Sequence, residues 1–149
     1  MHIEKSSILP YSTEQMYSVV TDIEAYPTFL DWCTSAAVEH SESTLDDTHI
    51  SVASLDIAFK RLSLAFTTRN VNRLNDSVEM QLVTGPFSHL EGRWNFAPLS
   101  DDASKVSLSM QFEFESILTR KLIGSVFEQL VGSQINAFEK RAKNLYDVD

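Results

Sequence analysis

The residues that decide the fold are SILTRKLIGSVFEQLVGSQINAFEKRAKNLY, positions 116–146. Apolar residues recur at Leu118, Leu122, Val126 and Leu130, with a second row at Ile123, Phe127 and Val131. The stripe continues through Ile135, Phe138, Ala142 and Leu145. Steps of three and four residues place them on one face of an α-helix. The opposite face carries Arg120, Lys121, Glu128, Gln129, Gln134, Asn136, Glu139, Lys140 and Lys143, and no proline interrupts the run. One long helix over 116–146 is therefore predicted, about 45 Å long at 1.5 Å per residue. Its apolar stripe needs a large partner surface, which the preceding residues must supply.

Immediately upstream, positions 34–115 change the period from helical to two. Turn residues punctuate the stretch at 41–47, at 72–76, at Gly85 with Pro86, and at 98–104. Six antiparallel strands are expected. Leu90, Gly92, Trp94 and Phe96 alternate with Glu91, Arg93 and Asn95, while Val106, Leu108, Met110, Phe112 and Phe114 alternate with charged and polar residues. Leu62, Leu64 and Phe66, then Val78, Met80 and Leu82, continue the same apolar face on earlier strands. One face is greasy and the other wet.

Further back, residues 2–9 read as a first strand stopped by Pro10. Ser12 with Gln15 forms a capping box ahead of Met16, Val19, Val20 and Ile23, so a helix is expected over 13–22. Pro27 disfavours helical geometry at Tyr26 and separates a second short helix. The connection 23–33 concentrates Tyr26, Phe29, Leu30 and Trp32, which implies that it covers something apolar. No repeat or linker interrupts the chain, which reads as one domain over 1–149. The class is α+β: a curved sheet of seven antiparallel strands around a long C-terminal helix, with two short helices after strand 1, a helix-grip architecture.

A chain of 149 residues can bury about two thirds of its unfolded surface without a metal or disulfide. Its one cysteine, Cys33, has no partner within the chain, and no leading apolar segment or transmembrane run is evident, so a reducing cytoplasm is the expected location. A formal net charge of -9 argues against direct DNA binding, whose affinity comes from clustered Lys and Arg.

Phe66, Trp94, Phe96, Phe112 and Phe114 crowd the inner face opposite Phe127 and Phe138 of the helix. Two readings stand side by side: these rings fill the core, or they line an apolar cavity between sheet, helix and the 26–32 segment. Gly92 leaves room beside Trp94. Gly124 and Gly132 do so along the helix, where each costs about 1 kcal/mol relative to alanine. Leu122, Gly124, Phe127, Leu130 and Val131 form the expected cavity wall, and 135–145 the anchoring core.

Catalytic signals are weak. His2, His40, His49 and His89 fall on unrelated segments without metal-ligand spacing. Cys33 beside Trp32 reads as a buried structural thiol with no base to activate it. Gly85 with Pro86 is a turn and not a phosphate loop. No catalytic residue and no metal ligand is assigned, and no enzymatic activity is expected. On the wet face Arg61, Arg69, Arg73, Arg93 and Lys105 interleave with Glu79, Glu91, Glu113 and Glu115, as cross-strand ion pairs or as a basic recognition strip.

Several motifs carry a resemblance when taken in order: Tyr26-Pro27-Thr28-Phe29-Leu30 leading to Cys33, Thr68-Arg69-Asn70, and Gly85-Pro86-Phe87 followed by Leu90, Gly92, Trp94, Phe96, Pro98 and Leu99. Phe112-Glu113-Phe114, Ala137-Phe138 and Arg141-Ala142 complete the set. Across positions 8–146 the chain resembles the RatA-type ribosome association toxins. These are grouped with the coenzyme Q-binding START-type proteins in the polyketide cyclase and lipid-transport superfamily. The resemblance implies a START/Bet v 1-like helix-grip fold. From the coenzyme Q side it implies a non-enzymatic protein holding ubiquinone or a related isoprenoid lipid under the C-terminal helix in support of respiration, loaded through transient membrane contact. From the toxin side it implies binding to the large ribosomal subunit and a block of subunit association. A cyclase or aromatase reading would need an inward pair of titratable groups. Carried onto this chain, the pocket candidates are Tyr26, Phe29, Trp32, Phe87, Trp94, Phe96, Phe112, Phe114 and Phe127, to which the strand and helix faces add Phe66 and Leu130.

Overall fold

The computed structural model describes residues 1–44, 46–60 and 62–147. In chain order the elements are β1 (His2–Leu9), α1 (Thr13–Thr21), a 3-10 turn (Ile23–Ala25), α2 (Tyr26–Phe29), β2 (Cys33–Ser43), β3 (Thr48–Phe59), β4 (Leu62–Arg73), β5 (Ser77–Thr84), β6 (Phe87–Ser100), β7 (Ala103–Phe114), α3 (Ile117–Gly132) and α4 (Gln134–Tyr146). The first strand, the capped first helix and the six later strands stand where the sequence pattern places them. Ser12 Oγ accepts from the Gln15 backbone N–H at 3.1 Å while Gln15 Oε1 accepts from the Ser12 N–H at 2.9 Å. That reciprocal pair satisfies two amides that the first turn leaves without helical partners.

Strands β2 to β7 form a meander of hairpins, and β1 joins the far edge by pairing with β7, giving the order β1-β7-β6-β5-β4-β3-β2 in one curved antiparallel sheet. Trp94 lies opposite Leu108 and Phe96 opposite Val106. Val106, Leu108, Met110, Phe112 and Phe114 are all buried, as a period of two on a half-solvated sheet requires. Two turns differ from expectation. The β3–β4 hairpin closes with Phe59 opposite Leu62, and Lys60 adopts φ 54° with no glycine, proline or asparagine to announce it. Strand β6 runs through Pro98 to Ser100, its ladder shifting register between Pro98 and Ser100, where proline's missing N–H does least harm.

The run 116–146 is not one helix. The Leu130 carbonyl oxygen accepts from Ser133 N at 3.2 Å, from Ser133 Oγ at 2.8 Å and from Gln134 Nε2 at 3.0 Å. These local bonds compete with the helical ladder beside Gly132, a weak helix former, so α3 stops and α4 restarts across Ser133 (φ −94°, ψ −1°). The buried stripe is also narrower than expected. Gly124, Phe127, Leu130 and Val131 of α3, with Ile135, Phe138 and Ala142 of α4, face the sheet. Ile117, Leu118 and Leu122 are 74%, 67% and 69% exposed, and Leu145 is also exposed. At about 100° per residue, Leu122 stands about 200° around the helix from Gly124. The two apolar rows of the sequence thus wrap more than half of the way round α3, and the first of them leaves the core toward the N-terminus, burying Leu130 and exposing Leu118 and Leu122.

Candidate ligand cavity

The aromatic residues divide into a filled cluster and the wall of a cavity. Phe87 of β6 stacks on Phe114 of β7 at 5.1 Å, and Phe127 of α3 meets Phe87, Phe112 and Phe114 at 5.1, 5.0 and 5.9 Å between ring centres. Phe96 packs on Tyr17 at 5.8 Å and lies parallel to Trp94. Phe29 sits between Tyr26 and Phe138, with the Arg141 guanidinium 4.8 Å from its ring centre. Phe29, Phe87, Phe96, Phe112 and Phe114 therefore serve the packed core and do not border the cavity.

Beside that core lies a partly open cavity of about 100 Å³, bordered by the inner face of β3–β7, the 20–32 segment and the α3–α4 junction. Of the residues singled out in the sequence, Tyr26, Trp32, Phe66, Trp94, Phe127 and Leu130 line it. Val131, Gln134 and Phe138 complete the helical side, so Phe138, expected only to anchor the fold, and Gln134, expected on the wet face, share the wall. Leu122 faces solvent, and Gly124 lies against Phe114, where an added Cβ would come 3.6 Å from its ring. The room expected at Gly92 is occupied: a Cβ there would lie 2.6 Å from Met80 Cε and 3.2 Å from Met110 Cγ. Gly132 leaves ordinary space beside Lys5 and does not border the cavity.

The sequence reading missed the polar side of the wall. The inward parity of Leu62, Leu64 and Phe66 on β4 continues into Thr68, Asn70 and Asn72, all buried and all lining the cavity. Thr68 Oγ1 donates to Asn70 Oδ1 at 2.8 Å, and Asn72 Nδ2 donates to Ser51 Oγ at 3.2 Å. Strict alternation carried past Phe66 finds these residues, because polar side chains on an inward register are rare unless bonded.

Charge is scarce around the cavity. Tyr26 is the one strongly titratable side chain among the described lining residues. Its hydroxyl donates to the Val20 carbonyl, and burial first, then the charges of Cys33 and Asp22, push its pKa far up. Burial likewise raises the Cys33 thiol, whose Sγ lies 3.4 Å from the Ser35 carbonyl oxygen. On the outer face Glu79 pairs with both Arg73, at 3.3 Å, and Arg93. Arg61 falls outside the described residues. His2, His40 and His89 each stand 3.6 Å from a glutamate on their own strand. Among the described residues no three His, Cys, Asp or Glu side chains are grouped to hold a metal ion, and no helix is long and apolar enough to cross a membrane.

Residues 9–139 match the family described as polyketide cyclase / dehydrase and lipid transport. The ribosome association toxin RatA of Pseudomonas aeruginosa is 39% identical over 146 residues, covering 97% of this chain and 97% of that protein. The mitochondrial coenzyme Q-binding protein COQ10 homolog B of Xenopus laevis is 30% identical over 95% of this chain, which spans 58% of its length. The crystal structure of Zhui, a Streptomyces aromatase/cyclase, superposes with a TM-score of 0.82 over 99% of this chain and 96% of its own, at 14% identity, a likeness of fold alone. With seven strands gripping its C-terminal helices and a family match over most of its length, the chain belongs to the polyketide cyclase and lipid-transport family.

Proposed function

We propose that this chain binds, without turning over, a hydrophobic ligand with an oxygenated ring, of the isoprenoid quinone class, in the cavity between the sheet and the α3–α4 junction. The observation that carries the reading is the lining: rings, methionines and aliphatic chains for the most part, with a polar cluster of Thr68, Asn70 and Asn72 on β4 and few polar groups elsewhere, at Thr21, Tyr26 and Gln134. That is the general form of a small-molecule site. A relative named for coenzyme Q binding supports the class of ligand. The Tyr26 hydroxyl is spent on the Val20 carbonyl and burial pushes its pKa up, so it serves the wall as a neutral, fixed group. A cavity of about 150 Å³ admits benzene, so a quinone ring enters the present 100 Å³ only as half-buried Trp32, Phe66 and Met80 swing aside. Met80 is suited to that by its unbranched chain. Loading by transient membrane contact belongs to the same reading, because α3 exposes Ile117, Leu118 and Leu122 beside Arg120 and Lys121.

The test is to purify the protein, extract it and search the extract for quinones by mass spectrometry, then titrate the stripped protein with a short-chain ubiquinone. Trp32 and Trp94 on the wall report the titration by fluorescence. An extract without quinone together with a flat titration overturns the reading.

A second reading is favoured by the relatives named as ribosome association toxins, 39–40% identical over 97% of this chain. In it the chain acts in the cytoplasm on the large ribosomal subunit and hinders subunit association. Co-sedimentation with the large subunit, and loss of intact ribosomes on overexpression, are expected. An unchanged sucrose-gradient profile counts against it.

A further inference from the structure

Thr68, Asn70 and Asn72 are 6%, 3% and 5% exposed on the inward face of β4, in a wall that is otherwise mostly apolar; Tyr26 and Gln134, which also line it, donate to the Val20 and Leu130 carbonyls. An amide buried there without its hydrogen bonds is costly, so each unmet group points to whatever meets it. Thr68 Oγ1 occupies Asn70 Oδ1, and Asn72 Nδ2 is spent on Ser51 Oγ. No hydrogen bond from Asn70 Nδ2 to protein is found among the described residues, and the sealed side-chain atom left without a partner there is Ser77 Oγ and not Nδ2, so Nδ2 stays open to the cavity that Asn70 lines, with Ser51 directly opposite on β3. The threonine bond sets which edge of the amide is left over. With one lone pair of the oxygen taken by the hydroxyl and the oxygen turned toward Thr68, the NH2 edge is the one left to meet a ligand, as a donor.

We propose that Asn70, oriented by Thr68, donates a hydrogen bond to a carbonyl or ether oxygen of the ligand, so that the cavity selects oxygen-bearing rings over plain hydrocarbons of similar shape. The inference rests on the ligand reading above and adds the group that discriminates. A site built to bond an oxygen rejects the analogue without it, because the buried amide is then stranded, whereas apolar walls alone separate similar shapes poorly. Thr68 is a positioning residue in this scheme, and Asn70 the one that touches the ligand.

The experiment uses the full ¹⁵N-labelled chain with two probes sharing one tail, decylubiquinone and decylbenzene. The side-chain amide resonances of Asn70 are followed by NMR, and affinities are measured for wild type, Asn70→Leu and Thr68→Val. Decylubiquinone is expected to shift the Asn70 amide signals. Its affinity falls about tenfold in Asn70→Leu and by less in Thr68→Val, while decylbenzene binds each variant as well as wild type or better. Should Asn70→Leu fail to fold, Thr68→Val and the wild-type amide shift decide the matter. If decylubiquinone binds but moves no Asn70 resonance and binds the variants equally, the inference is overturned and the ligand reading survives. If neither probe binds wild type, the ligand reading itself falls and takes the inference with it.

Discussion

Tyr26 joins the shortest helix to the cavity wall: its ring packs 5.3 Å from Phe138 and its hydroxyl is spent on the Val20 carbonyl. Burial holds its folded-state pKa well above the usual value near 10. Because the folded value exceeds the unfolded one, this contribution to stability is complete below about pH 10 and is lost as the pH climbs toward the folded value. Tyr11 and Tyr17 shift in the same direction, so the wild-type slope is a sum. Thermal melts between pH 8 and 11 should therefore show a shallower alkaline decline for Tyr26→Phe than for wild type, and parallel declines would clear Tyr26 of the effect. Gly85 is a sharper case. It holds φ 152°, and a Cβ would sit 2.7 Å from Phe66 Cβ. Gly85→Ala should cost about 1–3 kcal/mol in urea denaturation. The Gly85 turn was legible in the sequence because a Gly-Pro pair allows few backbone shapes. The positive φ at Lys60 was not, since lysine carries no such signal.

Strand parity was legible because a sheet with one wet face forces alternation, and every inward residue of β7 obeys it. Rotation of α3 was not. Apolar residues occur on more than one side of it, and which side is buried depends on how Phe114 and Phe127 interlock across the sheet. The consequence is measurable: Leu122→Gln should change stability by less than about 0.5 kcal/mol, whereas Phe127→Ala should cost about 3–5 kcal/mol in the same denaturation assay. At the α3–α4 junction Gly132 has space for a methyl, 3.7 Å from Lys5 Cε. Gly132→Ala should thus stabilise by up to about 1 kcal/mol, detected as a higher midpoint with an unchanged slope.

At the scale of the molecule, whether a ring fills space or borders it depends on the summed volumes of side chains far apart in sequence. That is why Phe87, Phe112 and Phe114 looked like pocket residues and pack as core, while Thr68 and Asn70, noted only within a motif, and Asn72, read as the start of a turn, line the cavity. A ligand bound only by the folded state raises stability by about 2.7 kcal/mol at a hundred times its Kd. Decylubiquinone at that excess should raise the melting temperature by several degrees, and a static melt at saturating probe would speak against binding. The strand order has a further consequence for biosynthesis. Ile3 of β1 pairs with Met110 of β7, so the first strand made waits for nearly the last. At 5–20 residues per second the interval is roughly 5–20 s, during which one edge of β1 lacks its hydrogen-bond partner. A nascent chain halted anywhere before residue 103 has neither that partner nor its helical cover. Premature termination should therefore yield fragments marked for proteolysis, and functional protein only from chains read through to the end of α4.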